Sequence, residues 1–286
     1  MHKNYRINNT TFINHDDVYD NPDAYPDFQH KLEAFKDLIT SNNKENIAKT
    51  YFKFGDGDYY FLKKESFGSA TPGRRALRKP YYLIPHKKFV KGSLLNDYYL
   101  ARIEKPHQEM FKDLFKKEMD FPSEFVYGLT SNKWFLSKFK NDIGIIGADR
   151  KLEVIQMLME KDEYKNYLQL DNFSDYITIP QKFAVDKINK IESQLKKKLE
   201  NSSSKIFLLG VGHIKSALLH QLSGYKNAQF IDIGVGIDAL AGIVNNERPY
   251  FGNWNNYRIK DSNIYEEIDF LINKNKIQNI KTHNYV

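Results

Sequence analysis

Residues 206–212 read Ile-Phe-Leu-Leu-Gly-Val-Gly, an apolar run that stops at two glycines, and helical spacing follows over residues 214–222. A short apolar run bounded by glycine is typical of a strand buried on both faces. This order recurs in the second half of the chain, with strands predicted at 143–147, 176–180 and 229–234 and helices at 152–159 and 182–200. Strands that alternate with helices form parallel sheets covered on both faces. The sequence therefore predicts an α/β, Rossmann-like fold with a mostly parallel sheet and helices on both faces.

The first half of the chain shows weaker patterns. Residues 1–26 are polar and interrupted by prolines, which predicts an irregular N-terminal arm. The spacing of apolar residues predicts helices over 28–50, 106–120 and 131–140 and a strand over 125–129. No internal repeat and no long linker is found, so we expect residues 27–286 to form a single domain.

The composition of the 286 residues limits the class of protein. No cysteine is present, which excludes a disulfide framework and thiolate chemistry. No apolar stretch reaches the roughly 18–20 residues that a membrane helix needs. The first residues lack the apolar core of a signal peptide, so we expect a cytoplasmic protein without a membrane span. The net charge of +7 favours anionic partners such as nucleotides, phosphosugars, nucleic acid or an acidic membrane face, although the basic residues are spread along the chain.

An acidic pair stands in the first half of the chain, where residues 54–58 read Phe-Gly-Asp-Gly-Asp. Gly55 and Gly57 permit backbone conformations that other residues avoid. The carboxylates of Asp56 and Asp58 could then converge on one hard divalent cation, and that cation could bind a diphosphate. The alternative is a solvated turn, since Asp and Gly are common turn residues.

Two of the predicted strands end in glycine turns that could bind phosphate. Gly210 and Gly212 precede a helix start, whose free amides and dipole favour an anion, and His213 and Lys215 add positive charge. A similar turn at residues 147–151 offers Gly147 and Lys151. The alternative for both turns is an ordinary strand-to-helix loop in which glycine allows close packing.

Asp232 and Asp238 stand at and just beyond the last predicted strand, and Arg248 follows in a segment rich in aromatic and amide side chains. Two buried carboxylates repel each other unless a cation or hydrogen-bond donors compensate, so one of them could act as a base. The alternative is that Asp232 caps a backbone group and Asp238 starts a helix.

Taken in order along the chain, these motifs resemble those of the GT-D fold glycosyltransferases. Residues 54–58 are similar to the Phe-Gly-Asp-Gly-Glu-type element of that family, with Asp58 in place of Glu. Residues 210–213 and 232–234 are similar to its late glycine turn and its Asp-Ile-Gly element. Residues 238–242 resemble the divergent branch of the family. The resemblance covers residues 45–258 and depends on short motifs made mostly of glycine and aspartate.

The resemblance implies transfer of a sugar from a nucleotide sugar, usually a uridine diphosphate sugar, with Mn²⁺ or Mg²⁺ at the acidic pair. In the better-known branch a His follows Asp-Ile-Gly and a candidate catalytic Glu stands several residues later. Val235 replaces that His, and Ala241 and Gly242 occupy the neighbourhood of that Glu. Asp238 is therefore the substitute base, with Asp232 as the other candidate, and Arg248 would orient donor or acceptor.

The acceptor and the class of protein stay open at this point. The acceptor hydroxyl could belong to a glycan or glycoprotein, or to a hydroxymethylated base in DNA, for which the basic segment at residues 74–79 offers positive charge. A different hypothesis is a non-catalytic nucleotide-binding or interaction module, since a decayed enzyme would lack the family Glu. The glycosyltransferase hypothesis predicts that residues 55–58, 210–213 and 232–238 converge on one cleft at the carboxyl edge of the sheet.

Overall fold

The computed structural model describes residues 4–7, 11–21, 23, 25–63, 85–131, 133–181, 184–243, 254–260, 263–266 and 268. Its strands are β1 (Asn4–Ile7), β2 (Thr11–Asn14), β3 (Lys49–Lys53), β4 (Tyr98–Ala101), β5 (Phe121–Pro122), β6 (Ile143–Ala148), β7 (Asp175–Ile179), β8 (Ile206–Gly210) and β9 (Gln229–Asp232). Its α-helices are α1 (His15–Asp20), α2 (Pro26–Lys44), α3 (Asp56–Leu62), α4 (His86–Ser93), α5 (Lys105–Phe115), α6 (Phe135–Lys138), α7 (Asp149–Met159), α8 (Asp162–Leu168), α9 (Ile188–Glu200), α10 (Lys215–Tyr225) and α11 (Gly236–Leu240).

Seven of these strands form one all-parallel sheet in the order β5-β4-β3-β9-β8-β6-β7. β9, the last strand in the part of the chain that the structure describes, lies in the middle of the sheet between β3 and β8. Ile231 of β9 pairs with Tyr51 of β3 and with Leu208 of β8. The α/β, Rossmann-like fold predicted from the sequence is confirmed.

The sheet is covered on both faces, which explains why its interior strands β6 and β8 are apolar along most of their length. Successive residues of a strand point to opposite faces, so Tyr51 packs into one apolar cluster and Phe52 into the other. Side chains of α2, α7 and α8 belong to the first cluster, and those of α3, α4, α5, α9 and α10 belong to the second. All six residues of β6 are buried, as expected for a central parallel strand.

Two local predictions for the middle of the chain were wrong. The segment predicted as a strand at 125–129 is part of a 3₁₀ helix, Ser123–Leu129, in which every residue is buried. An apolar run this short does not separate a buried strand from a buried helix, and Pro122 has no N–H to continue the ladder. The helix predicted at 131–140 is only α6, which spans four residues.

The N-terminal segment is more regular than the predicted irregular arm. β1 and β2 pair as antiparallel strands, and α1 follows directly. Proline restricts only itself and the residue before it, and the run Asn4–Ile7 upstream of Pro26 alternates polar and apolar residues in the manner of a strand.

None of the helices in the described residues is both long enough and apolar enough to cross a bilayer. The basic segment at residues 74–79 and Arg248 lie outside the described residues.

Candidate functional site

The carboxyl ends of β3, β9 and β8 are neighbours in the sheet, and each leads into a short turn that carries polar side chains. After β3, α3 begins at Asp56. After β8, a 3₁₀ turn over Gly212–Ile214 leads into α10, whose first residue is Lys215. β9 ends at Asp232. The sheet therefore brings together side chains that are far apart in the sequence.

Lys215 lies at the centre of this group. Its ammonium is 3.0 Å from Asp58 Oδ2 and 2.6 Å from Asp232 Oδ2, and it also donates to the backbone carbonyl of Lys53. An ammonium has three N–H donors, so these three acceptors use all of them. The side chain is buried and passes over the ring of Phe52, with Nζ 4.7 Å from the ring centroid. We call Lys53, Asp58, His213, Lys215 and Asp232 the Lys215 cluster.

Asp58 is held in place from both sides. Its Oδ2 accepts a hydrogen bond from the Gly55 amide at 3.0 Å, which satisfies the N–H of the residue that caps α3. Its Oδ1 lies 3.4 Å from His213 Nδ1. Burial alone would raise the pKa of Asp58, but the Lys215 ammonium and His213 outweigh burial and lower this pKa to about 2. Asp58 is therefore an ionised, fixed carboxylate.

His213 forms the boundary between this buried group and the surface. Its ring stacks on Phe61 at a centroid distance of 4.5 Å with an interplanar angle of 8°, while its side chain stays 18% exposed. The preceding Gly212 has φ of +60°, and a Cβ built there would meet no atom within 4 Å. A ligand that approaches the carboxyl edge can therefore come close to the backbone at Gly212 and contact the imidazole of His213.

Asp232 is only 1% exposed, and both of its oxygens are occupied. Its Oδ1 accepts from the Gly234 amide at 3.0 Å, and its Oδ2 contacts Lys215. Burial raises the pKa of Asp232, and Lys215 and Lys53 oppose that rise without cancelling it. The pKa of Asp58 moves the other way although its contact with Lys215 is longer, because Asp58 also faces His213. The geometry gives Asp232 the task of fixing Lys215 and leaves it no exposed oxygen for a substrate.

The two carboxylates of the acidic pair do not form a chelate. Asp56 and Asp58 are two positions apart on α3, so their side chains lie on different faces of the helix. Asp56 is exposed and accepts from the Gly57 amide at 2.9 Å, whereas Asp58 is buried against Lys215. Within the part of the chain that the structure describes, no three His, Asp or Glu side chains are placed to hold a metal ion. The donor set does not fit the divalent cation that the family resemblance implies.

Gly147 and Gly210 pair with each other at the ends of β6 and β8, and α11 packs directly on them. A Cβ on Gly147 would lie 2.0 Å from Ile237 Cδ1, and a Cβ on Gly210 would lie 2.3 Å from Ile237 Cγ2. Ile237 therefore fills the space above both glycines that a phosphate would need. The structure favours the alternative stated for these turns, in which glycine allows close packing.

Lys151 and Asp238 form an ion pair with each other, separate from the Lys215 cluster. Lys151 belongs to the first turn of α7, and Asp238 belongs to α11, the helix whose Ile237 packs on the ends of β6 and β8. Both side chains are partly exposed, at 18% and 23%. Asp238 is therefore the accessible carboxylate of the two predicted bases.

Sequence analysis missed two charged residues near this edge. Lys53 ends β3, and its ammonium lies 3.3 Å from the position of a Cβ on Gly234. Glu124 is 1% exposed in the 3₁₀ helix after β5, and its Oε2 has no hydrogen-bond partner among the described residues. A lysine inside the apolar run Tyr-Phe-Lys-Phe was a usable signal for Lys53. Glu124 stands just before the segment predicted as a strand, and nothing in the sequence indicates that it is buried.

Comparison of the chain with protein-family models, with curated proteins and with solved structures gives no match. The similarity to GT-D fold glycosyltransferases therefore depends on the motifs alone and stays a prediction.

Proposed function

We propose that this chain is a glycosyltransferase that takes its sugar from a nucleotide-sugar donor, with a uridine diphosphate sugar as the expected class. The observation that carries the proposal is the Lys215 cluster, in which side chains after β3, β8 and β9 meet at the carboxyl edge of a parallel sheet. Ligands of open parallel sheets bind at this edge. A cluster of charged groups with pKa values moved in opposite directions is also typical of functional sites.

The donor diphosphate would bind over the exposed turn at Gly212 and His213. The amides of this turn and the start of α10 favour an anion, and the imidazole of His213 adds a donor that can carry positive charge. Lys53 contributes a second cation at the same edge. The divalent cation implied by the resemblance does not fit the donor set of the described residues, so the transfer step depends on this chain's own side chains.

The transfer step breaks the bond between the anomeric carbon and the diphosphate oxygen and forms a bond from that carbon to the acceptor oxygen. The diphosphate leaves with the bonding electron pair, and its added negative charge faces His213 and Lys53. Asp238 accepts the proton of the acceptor hydroxyl, because it is the more accessible of the two carboxylates and its ion pair with Lys151 holds it in place.

The acceptor hydroxyl belongs to a glycan or glycoprotein, or to a hydroxymethylated base in DNA. The net charge of +7 is compatible with either and is too dispersed to favour DNA. Duplex DNA that binds with an affinity falling steeply with salt would identify the second acceptor, since phosphate contacts release counterions.

Thermal unfolding with a panel of nucleotide sugars tests the proposal. A donor present at about 100 times its dissociation constant stabilises the folded chain by about 2.7 kcal/mol, which raises the melting temperature by several degrees. We expect one donor to do so, His213→Ala to reduce this shift, and His30→Ala on the exposed face of α2 to retain it.

An absence of any shift across the panel would contradict the proposal. A shift without slow release of free sugar would instead identify a non-catalytic nucleotide-binding module.

A further inference from the structure

We propose that Lys215 takes the place of a divalent cation in this site, so that the nucleotide-sugar donor binds and reacts without a metal ion. The inference rests on the proposed function, and it departs from what the family resemblance implies. It specifies the ligand as a diphosphate anion that carries no metal, recognised by His213 and Lys53.

The first argument is the position of the ammonium. Lys215 Nζ lies 3.0 Å from an oxygen of Asp58 and 2.6 Å from an oxygen of Asp232, two carboxylates that follow neighbouring strands. A hard cation in this place would use the same oxygen ligands. The carbonyl of Lys53 completes a shell of three oxygens around the ammonium.

The second argument is the charge already present in this place. The Nζ of Lys215 contacts two buried carboxylates, Asp58 and Asp232, whose negative charges an ammonium balances. A metal ion bound by Asp58 would stand next to this charge and would be repelled by it. The residue is part of α10 and crosses the ring of Phe52, which holds the ammonium between the two carboxylates.

The third argument is the exposure of the remaining positive groups. Lys215 is 7% exposed and its three protons are used within the cluster, so it positions the site and does not contact the donor. His213 is partly exposed beside the open backbone of Gly212. The phosphates therefore meet an imidazole at the surface of the cluster, and Lys215 acts through Asp58, which holds that imidazole.

Binding of Mn²⁺ to the unmodified protein is the direct test, measured by electron paramagnetic resonance of the free ion. We expect no binding at this site, and the same donor-induced thermal shift in EDTA as in MnCl₂. If the wild type binds Mn²⁺ and Asp58→Asn does not, the inference is overturned. If both proteins bind Mn²⁺ equally, the ion lies elsewhere on the surface and the inference is supported at this site.

A lysine variant tests the same idea from the opposite side. Lys215→Ala leaves two buried carboxylates without their cation, so we expect a lower melting temperature that Mn²⁺ partly restores. Mn²⁺ should have no such effect on the wild type or on Lys205→Ala, which removes an exposed lysine. A variant destabilised but indifferent to Mn²⁺ would contradict the inference. If it does not fold, the wild-type measurement decides alone. The Mn²⁺ measurements need no donor, so they remain decisive even if every nucleotide sugar fails to bind.

Discussion

Glu124 is a buried carboxyl group whose charge the fold compensates only in part. Burial raises its pKa from 4.5 to about 7, and Arg102 offsets only part of that rise. Because the folded-state pKa is raised, this group contributes stability below pH 4.5 and loses it as the pH rises through about 7. We expect the wild type to lose about 2–3 kcal/mol of unfolding free energy between pH 5 and pH 8 relative to Glu124→Gln.

Urea unfolding at several pH values measures this difference. Glu45→Gln, an exposed change just after α2, serves as the control and should keep the wild-type slope. Parallel pH profiles for the wild type and Glu124→Gln would contradict the prediction.

Asp56 and Asp58 offer a matched pair for a second prediction. The pKa of Asp58 is lowered from 3.8 to about 2, so its contribution to stability is present above pH 3.8 and is lost as the pH falls through about 2. We expect Asp58→Asn to lose about 2 kcal/mol or more at pH 7, and Asp56→Asn, which removes an exposed carboxylate, to stay within about 0.5 kcal/mol. Equal effects of the two substitutions in chemical denaturation would show that Asp58 is not an ion-paired carboxylate.

At this scale the sequence indicated Asp58, His213, Lys215 and Asp232 because each follows a glycine or the end of an apolar strand. It did not reveal that a lysine neutralises the acidic residues, since the pairing of Lys215 with Asp58 depends on how β3 and β8 are arranged in the sheet. The difference between Asp56 and Asp58 is likewise a property of α3, which the sequence reading treated as a turn.

At the scale of elements, α11 packs on the ends of β6 and β8 and limits which side chains can replace Gly147 and Gly210. An added methyl on Gly210 would meet Ile237, so we expect Gly210→Ala to cost about 1–3 kcal/mol of unfolding free energy by overpacking. Gly224 lies in α10 with open space around it, so Gly224→Ala should stabilise by up to about 1 kcal/mol through helix propensity. Denaturant midpoints compare the two, and a tolerated Gly210→Ala would mean that α11 moves away easily.

The prediction of elements from the sequence succeeded where an apolar run and its glycine coincide, as in β6 and β8. It failed at Ser123–Leu129, where burial on all sides removes the period that separates strand from helix. β4 and the two-residue β5 were also missed, because their sequences are short and rich in aromatic residues that suit several structures.

On the scale of the whole molecule, the rule that parallel strands present ligand sites at their carboxyl ends predicted that residues 55–58, 210–213 and 232–238 converge on one cleft. Of these segments, the structure brings Asp58, His213 and Asp232 together around Lys215, whereas Asp238 pairs with Lys151 outside that cluster. The strand order was not predictable, because a single sequence carries no record of which strands pair. The pairing of β9 with both β3 and β8 is what places the Lys215 cluster in the middle of the sheet edge.

The central position of β9 also governs when the protein acquires its site during synthesis. As the chain leaves the ribosome, β3–β5 and β6–β8 can each pair locally, but their inner edges have no partner until residues 229–232 emerge. Unpaired strand edges attract other chains, so the nascent protein is exposed to misassembly until β9 has emerged. Asp58 follows β3 and Lys215 follows β8, so the two residues belong to different halves of the sheet. Their contact, and the contact of Lys215 with Asp232, form only when β9 inserts between those halves.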